Sequence, residues 1–539
     1  MSPFILNHAG IFVPLLLIVF VALGYTAAPV WTFAILAIVT AAGLGCGLWG
    51  LAAVVLIGAI FSYPPARRTL FSRPMMGLLI KLKFLPVISQ TEREALEAGT
   101  VWADAELFSG KPDWDKLIAE PYPALNEKEQ AFIDGPAQTV CNMTNDWDVF
   151  QHRDLPAKVW DYLKKEKFFG MIIPESYGGL GLSASANSAV VAKLSSCSGP
   201  LGITVMVPNS LGPAELLLHY GTEEQKNHYL PRLADGREVP CFALTEPGAG
   251  SDAGAIQANG EVFRDDDGEL KLRLNWNKRY ITLAAVSTLL GLAFKLRDPS
   301  NHLGKGHDVG ITCALIPTNL PGVKLGRRHD PMGVPFFNCP TQGEDVIVGL
   351  DAIIGGPEGA GRGWLMLMEC LAAGRGISLP ASSTASSQMA SRVAGSYAAI
   401  RKQFGMPIGK FEGIVEPLSR IAGRAYILEA ARRYTLGALD RGAKPAVVTA
   451  MAKYNFTELA RESIKDAMDV VGGAGISRGP RNLLAHAYIS QPIGITVEGA
   501  NILTRTLVVF GQGAIRCHPF AYREMAAVAA RDAKEFDAA

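Results

Sequence analysis

The first 63 residues of the chain contain no Asp, Glu, Lys or Arg. Residues 11–61 form an apolar run of 51 residues within this stretch. One membrane-spanning helix needs about 20 apolar residues, so the run is long enough for two. The string GYTAAP at residues 24–29 separates two predicted helices, at residues 11–24 and 31–50. The sequence therefore predicts a transmembrane helical hairpin within residues 1–63.

The residues that follow the apolar run predict its orientation. A cleaved signal peptide is excluded because the stretch lacks a positive n-region and its apolar run is too long. The basic residues that follow, before the first acidic residue Glu92, are Arg67, Arg68, Arg73, Lys81 and Lys83. Such an excess marks the cytoplasmic side. We therefore expect residues 64–120, a basic juxtamembrane segment and linker, to lie in the cytoplasm, where anionic membrane lipid is an expected partner.

Composition excludes several classes of protein. The 539 residues are enough for several domains, and a net charge of +1 gives no nucleic-acid footprint. The eight cysteines include no C-x-x-C pair, which argues against a disulfide framework or zinc ribbon. The nine histidines include no H-E-x-x-H, so no metal site is predicted.

The texture of the remaining chain changes twice. Residues 121–240 show mainly helical spacing, whereas residues 241–363 contain short strand-like runs between polar and glycine-bearing loops. Residues 364–539 contain four long helical stretches, which suggest a bundle. The predicted fold class is therefore α+β, with a helical domain, a β-domain and a helical bundle following the hairpin.

Residues 241–256, CFALTEPGAGSDAGAI, join a short predicted strand to a tight turn. Pro247 fixes one φ angle, while Gly248 and Gly250 permit conformations closed to other residues. Exposed N–H groups in such a turn can bind an anion, although a solvated hairpin loop is the commoner outcome. The spacing is not G-x-G-x-x-G, so a Rossmann site is not supported.

The full string resembles the TEPGAGSD motif of the acyl-CoA dehydrogenase family. Further matches are IPESYGGLGL at residues 173–182, and GTEEQK at residues 221–226 running on to YLP at residues 229–231. The resemblance covers about four hundred residues, from near Pro121 to near the end. It implies an acyl-CoA dehydrogenase-like fold, with an N-terminal helical domain, a middle β-domain and a C-terminal bundle, and it implies FAD as cofactor.

A lone carboxylate, Glu498, lies among uncharged neighbours in IGITVEGAN at residues 493–501. A buried Glu without partners has a raised pKa, although Glu498 could equally begin the final helix as an N-terminal charge. The string resembles the family's YEGT motif, whose Glu is the catalytic base, with Val497 and Ala500 in place of Tyr and Thr. The resemblance thus makes Glu498 the catalytic base.

Some members of the family carry the base on the long helix of the C-terminal domain instead. That position matches Gly374, which cannot accept a proton. The resemblance places the next residue, Arg375, near the substrate. It also assigns substrate contacts to Ser251 and Gly499, and to the backbone N–H of Glu498, which would hold the thioester oxygen.

The flavin contacts are likewise implied by resemblance. Several match family motifs around TEPGAGSD, K-x-W-I-T, R-x-x-F-G and GG-x-G, and the last two motifs reach the flavin of a neighbouring subunit in the family. The implied residues are Leu244, Thr245, Ser251, Tyr280, Thr282, Arg401, Phe404, Gly472, Gly473 and, in place of the motif's Thr, Asn501. Ser251 is expected near either the flavin pyrophosphate or the CoA.

The resemblance implies FAD-dependent α,β-dehydrogenation of fatty acyl-CoA to trans-2-enoyl-CoA, the first step of β-oxidation. It extends to long, membrane-associated bacterial members, which implies the inner membrane as location, with catalytic domains in the cytoplasm. Expected partners are an electron-transfer flavoprotein and a second copy of the chain, in a homodimer or higher homo-oligomer. Those members continue with a further C-terminal domain, so one is expected beyond Ala539 unless this is a short variant. Two alternatives stay open: an acyl-CoA oxidase, and a catalytically silent acyl-CoA-binding scaffold at the membrane.

Overall fold

The computed structural model describes residues 4–26, 28–85, 90–97, 99–210 and 212–539. The chain divides into two compact units. The first unit combines residues 1–89 with residues 518–539, and the second comprises residues 90–517. The last 22 residues of the predicted bundle domain therefore group with the N-terminal segment.

Apolar helices make up the N-terminal part of the first unit: Ala9–Tyr25, Val30–Gly43 and Leu48–Ser62, with the short Phe4–Asn7 before them. The predicted helix at residues 31–50 is wrong in its bounds, because the helix ends at Gly43 and another begins at Leu48. Gly45 lies between them with φ of 75°, a left-handed conformation that glycine adopts without steric cost. The apolar run is therefore folded as three main helices rather than two.

We tested the helices for the ability to cross a bilayer. In the described part of the chain, no single helix has both the length and the apolar composition required. Two pairs of helices have them jointly but are bent: Leu48–Ser62 with Pro64–Leu82, by 90°, and Ala485–Thr496 with Asn501–Cys517, by 48°.

The second unit begins with short helices at Gln90–Glu97, Ala103–Phe108 and Trp114–Ile118. A helical domain follows, comprising Glu127–Phe132, Gln138–Met143, Asp146–His152, Ala157–Lys165, Ala184–Cys197, Gly199–Met206, Pro213–Tyr220 and Glu223–Ala234. Capping boxes begin two of these helices, where Asn126 pairs with Glu129 and Thr222 with Gln225. The helical character predicted for residues 121–240 is confirmed.

The middle domain is a seven-stranded sheet in which β4 pairs with β1, β2 and β5. Its strands are β1 Pro240–Ala243, β2 Asn259–Arg264, β3 Leu270–Thr282, β4 Leu289–Arg297, β5 Asp308–Pro317, β6 Val323–Leu325 and β7 Asn338–Gly349. The β3–β7 ladder changes register between Lys278 and Ile281, which forms a bulge. Tyr280 lies in this bulge with φ of 60°, so the regular alternation expected of a strand is broken there.

Long helices build the C-terminal bundle: Gly363–Ile400, Glu412–Asp440, Ala446–Val471 and Ala485–Thr496, followed by Asn501–Cys517. Alanines four residues apart on the first helix, Ala390, Ala394 and Ala398, are buried against Ile464 and Ala467. Their small side chains allow the helices to approach closely, and their spacing keeps them on one face. The bundle therefore provides a rigid support for the chain segment around residue 498.

Candidate active site

Glu498 lies in the tight connection between helices Ala485–Thr496 and Asn501–Leu503. Its φ is 56° and that of Gly499 is 91°, so two consecutive residues are left-handed. This conformation is uncommon for a residue with a side chain, and such strain persists only where surrounding contacts enforce it. The backbone at Glu498 is therefore fixed by its neighbours.

Lys453 supplies several of these contacts from the middle of helix Ala446–Val471. Its fully buried Nζ donates to the carbonyl oxygen of Gly499 at 2.8 Å and to Oδ1 of Asn501 at 2.7 Å. The Thr504 hydroxyl donates to the same Gly499 oxygen at 3.1 Å. The turn that carries Glu498 is thus held from two sides.

Arg375 contacts the same turn from the long helix Gly363–Ile400. Its Nε donates to the carbonyl oxygen of Glu498 at 3.1 Å. At the neighbouring Gly374, an added Cβ would lie 3.2 Å from the Cβ of Ser210, so this position is closely packed. The predicted pair Arg375 and Glu498 is therefore brought together, with Arg375 on the backbone rather than on the carboxylate.

The Glu498 carboxylate itself has an unusual environment. Its Oε2 is buried and has no hydrogen-bond partner among the described residues. Burial raises the pKa of Glu498 to about 7, and the charges of Arg375 and Lys453 oppose the rise without reversing it. Burial likewise lowers the pKa of Lys453 to about 8, against the effect of Glu498. The expected rise in the pKa of Glu498 is therefore confirmed, and the carboxylate can exchange a proton near neutral pH.

Asn501 is engaged within the chain. Besides accepting from Lys453, its amide donates to Oγ1 of Thr457 at 2.9 Å and to Oε1 of Glu458 at 2.8 Å. These bonds occupy the whole amide, which leaves no donor for a ligand. The contact between Asn501 and flavin stays a prediction, while the observed bonds give it a structural role behind Glu498.

A second polar centre lies where β1 ends. The buried ammonium of Lys278 donates to Oε1 of Glu246 at 2.8 Å and to the carbonyl oxygen of Leu244 at 2.9 Å. The next residue, Arg279, donates its N–H to the carbonyl oxygen of Thr245 at 3.0 Å. The turn that begins TEPGAGSD is thus fastened to the bulge of β3 that carries Tyr280.

Open space adjoins this fastened turn. A Cβ added at Gly248 or Gly250 would meet no atom within 4 Å, and the Thr245 hydroxyl has no partner among the described residues. The ring of Tyr280 is exposed, and the Thr282 hydroxyl accepts a 3.4 Å hydrogen bond from Asn338. An exposed ring and a free hydroxyl beside a glycine-lined turn fit a flat aromatic ligand such as flavin. Ser251, predicted to meet pyrophosphate or CoA, is exposed at the same turn.

The remaining predicted flavin residues lie at the ends of two bundle helices. Arg401 ends helix Gly363–Ile400 and is exposed, and the Phe404 ring is 94% exposed. Gly472 ends helix Ala446–Val471 with φ of 61°, and neither it nor Gly473 would place an added Cβ near another atom. These residues leave an open surface that includes an aromatic ring, which is the state expected if a second chain covers it.

Sequence reasoning missed three residues: Lys453, Glu246 and Lys278. A signal was present for Lys453, which is a single charge in the otherwise uncharged string VVTAMAKYNFT. For Glu246 and Lys278, both motifs had been noticed, but their pairing across 32 residues requires the fold.

Family models match in three consecutive parts of the chain. The N-terminal domain of acyl-CoA dehydrogenase matches residues 127–237, its middle domain residues 241–346 and its C-terminal domain residues 361–509. The chain belongs to the acyl-CoA dehydrogenase family. It is therefore an oxidoreductase acting on CH–CH groups, with FAD as cofactor, and the glycine-lined turn and exposed hydroxyl described above fit that cofactor.

Relatives within the acyl-CoA dehydrogenase family support this assignment. The 3-(aryl)acrylate reductase of Clostridium sporogenes is 34% identical over 334 residues, or 61% of this chain and 83% of that protein. The acyl-CoA dehydrogenase of Bacillus subtilis is 30% identical over 366 residues, or 66% and 89%. The structure of butyryl-CoA dehydrogenase from Megasphaera elsdenii shares the fold, with a TM-score of 0.64, 24% identity, and coverage of 72% of this chain and 98% of that one.

Proposed function

We propose that this enzyme oxidises fatty acyl-CoA to trans-2-enoyl-CoA, with Glu498 as the catalytic base. The observation that carries the proposal is the buried, unpartnered Oε2 of Glu498 on a carboxyl whose pKa is raised to about 7. A base near neutral pKa combines a deprotonated form with useful basicity. A carboxylate already bonded to a cation would first have to break that bond.

In this mechanism Oε2 of Glu498 accepts the α-proton of the thioester and becomes a neutral carboxylic acid. FAD, when bound, accepts the β-hydrogen as hydride. Lys453 and Arg375 hold the strained turn through the carbonyl oxygens of Gly499 and Glu498, so the carboxylate stays aligned during the transfer. Their positive charges also favour the negative charge that develops on the substrate.

Leu244, Thr245, Tyr280 and Thr282 would hold the flavin from within the chain. We place Arg401, Phe404, Gly472 and Gly473 against the flavin of a second chain. The exposure of Phe404 at a helix end supports this arrangement, since a 94% exposed ring gains from burial. The proposed assembly is accordingly a homodimer or a higher homo-oligomer, with an electron-transfer flavoprotein as electron acceptor.

We also propose attachment to the bacterial inner membrane, with the catalytic domains in the cytoplasm. The N-terminal helices support it because they expose large apolar side chains, among them Ile18, Leu17 and Trp49. Contiguous apolar surface of this extent needs a partner such as lipid. If the attachment is integral, alkaline carbonate will leave the protein in the membrane, whereas extraction by salt alone would contradict it.

The proposed activity is tested by anaerobic titration of the FAD-loaded enzyme with saturated acyl-CoA of increasing chain length. We expect bleaching of the flavin absorbance by fatty acyl-CoA, and no bleaching by the free acid. The electron acceptor is identified by readmitting oxygen, because stoichiometric peroxide would indicate an oxidase instead. A flavin that no acyl-CoA reduces would favour the scaffold and reject the proposed activity.

A further inference from the structure

The first unit contains a carboxylate that joins the two ends of the chain. Asp537, in the last helix Ala533–Ala538, accepts hydrogen bonds from Nε of Arg67 at 2.9 Å and from the hydroxyl of Ser72 at 2.5 Å. Its side chain is only 2% exposed. These bonds satisfy Arg67 and hold helix Pro64–Leu82 against the C-terminal segment, so the relative position of these two elements is fixed.

An open cavity of about 480 Å³ lies at this junction. It is lined by Arg68, Thr69 and Arg73 from one side and by Ala530–Ala533, including Arg531 and Asp532, from the other. Three guanidinium groups therefore face one volume. Only one carboxylate lines it, and Asp532 already caps the last helix by accepting from the N–H groups of Lys534 and Glu535.

The three arginines are incompletely satisfied within the protein. Arg68 reaches Asp537 only at 4.0 Å, and its Nε is buried without a hydrogen-bond partner. Neither Arg73 nor Arg531 forms an ion pair with any described residue. Like charges gathered around one cavity repel, and an anion that binds among them offsets this repulsion. Guanidinium groups bind phosphate oxygens particularly well because their planar donors match the geometry.

The surroundings indicate which phosphate fits. The helix that carries Arg68 and Arg73 also exposes large apolar side chains, among them Leu70, Phe71, Met75 and Leu78. It is bent by 90° from the apolar helix Leu48–Ser62. If that apolar helix enters a bilayer, the bend lays this segment along the bilayer surface, with its arginines at headgroup depth.

We propose that this cavity is a binding site for the phosphodiester headgroup of an anionic phospholipid, held by Arg68, Arg73 and Arg531. The proposal rests on the membrane location proposed above. It goes beyond diffuse attraction of a basic segment, because Arg531 comes from the other end of the chain and only the fold places it beside Arg73. The lipid would thereby bind both termini together.

The test measures binding of short-chain lipid to the detergent-solubilised, FAD-loaded full chain by calorimetry. The probes are dioctanoyl phosphatidylglycerol, dioctanoyl phosphatidylcholine and inorganic phosphate. The pocket variant is Arg73→Gln with Arg531→Gln, and its matched control is Lys81→Gln with Lys83→Gln. The control removes the same charge from the same basic segment but from residues that do not line the cavity.

We expect saturable binding of phosphatidylglycerol that weakens about tenfold or more in the pocket variant, as for a lost charge-assisted bond, and is unchanged in the control. Equal weakening in both variants would show diffuse electrostatics and overturn the site, as would no weakening in either. Inorganic phosphate that binds as tightly as phosphatidylglycerol would overturn the assignment to lipid and identify a free phosphate site.

Two further readouts separate this proposal from the ones on which it rests. Acyl-CoA oxidation and FAD content should be unchanged in the pocket variant, which also shows that it folds. Carbonate resistance of the wild-type protein in membranes reports the membrane location independently. Loss of carbonate resistance with retained phosphatidylglycerol binding would reject the location and keep the site.

Discussion

Two buried lysines lie next to two glutamates in the catalytic unit, with opposite results. Lys278 bonds the carboxylate of Glu246 directly at 2.8 Å, whereas Lys453 bonds the backbone and Asn501 and leaves the carboxylate of Glu498 unpartnered. Burial acts to raise the pKa of Glu246, but hydrogen bonds from Gln257, Lys278 and Ala258 lower it overall. Burial raises the pKa of Glu498 to about 7.

The difference shows how similar residues take different roles. A carboxylate whose oxygens are all bonded stays charged and joins chain segments, which suits structure. A carboxylate held only through its backbone keeps its oxygens free and titrates near neutral pH, which suits proton transfer. The following experiments test this distinction between the Glu246 and Glu498 centres.

The largest effect is expected for Glu498→Gln, which preserves shape and backbone contacts but removes the proton acceptor. Anaerobic reduction of the flavin by acyl-CoA should slow by about 10²–10⁴-fold, the usual contribution of a general base. FAD content should not change. The matched control is Glu462→Gln, a surface residue paired with Lys465, which should reduce its flavin at the wild-type rate. A normal rate in Glu498→Gln would assign the base to another residue.

Lys278→Met should chiefly affect folding. It leaves Glu246 buried without its cation, and breaking such a pair costs about 3–5 kcal/mol. The free energy of unfolding, measured by urea denaturation, should fall by that amount, and FAD should be lost more easily because the turn at Thr245 is released. The surface change Lys324→Met, which removes the exposed partner of Glu344, is the control and should cost little. Unchanged stability in Lys278→Met would remove the structural role of this pair.

The two carboxylates should also give stability opposite dependences on pH. The lowered pKa of Glu246 adds stability above about pH 4.5 that is lost as the pH falls. The raised pKa of Glu498 adds stability below about pH 4.5 that is lost as the pH rises through about 7, by about 3 kcal/mol in all. Glu498→Gln should therefore be more stable relative to wild type at pH 8 than at pH 5, measured by denaturation at both. A constant difference would contradict the raised pKa.

The smallest expected effect is a shift of the pH profile in Lys453→Met. Because the charge of Lys453 lowers the pKa of Glu498, its removal should move the midpoint of flavin reduction upward, while Arg375 remains to limit the shift. Stopped-flow rates across the pH range measure this midpoint. A slower rate at an unchanged midpoint would mean that Lys453 only supports the turn.

Much of this fold was predictable because local patterns carry it. The long helices of the bundle were predicted closely, since their apolar spacing persists over many residues, as in Ala446–Val471. The glycines between Gly43 and Leu48 were harder, because glycine is also common inside membrane helices. Whether Gly45 turns the chain depends on its neighbours in space, so two helices were predicted where three occur.

The candidate site shows the same boundary between local and distant information. Glu498 was identifiable because its neighbours in sequence are uncharged. The roles of Lys453 and Lys278 were not, because each bonds a partner more than 30 residues away. The bulge at Tyr280 also escaped prediction, since an inserted residue leaves the composition of a strand unchanged.

The most direct test of the central claim is the pKa of Glu498 itself. Infrared difference spectra between wild type and Glu498→Gln isolate the carboxyl band of this residue, and its intensity can be followed across a pH titration. A midpoint near 7 is predicted from the buried, unpartnered carboxylate. A midpoint near the ordinary value of 4.5 would contradict it and place Glu498 with Glu246 among the structural carboxylates.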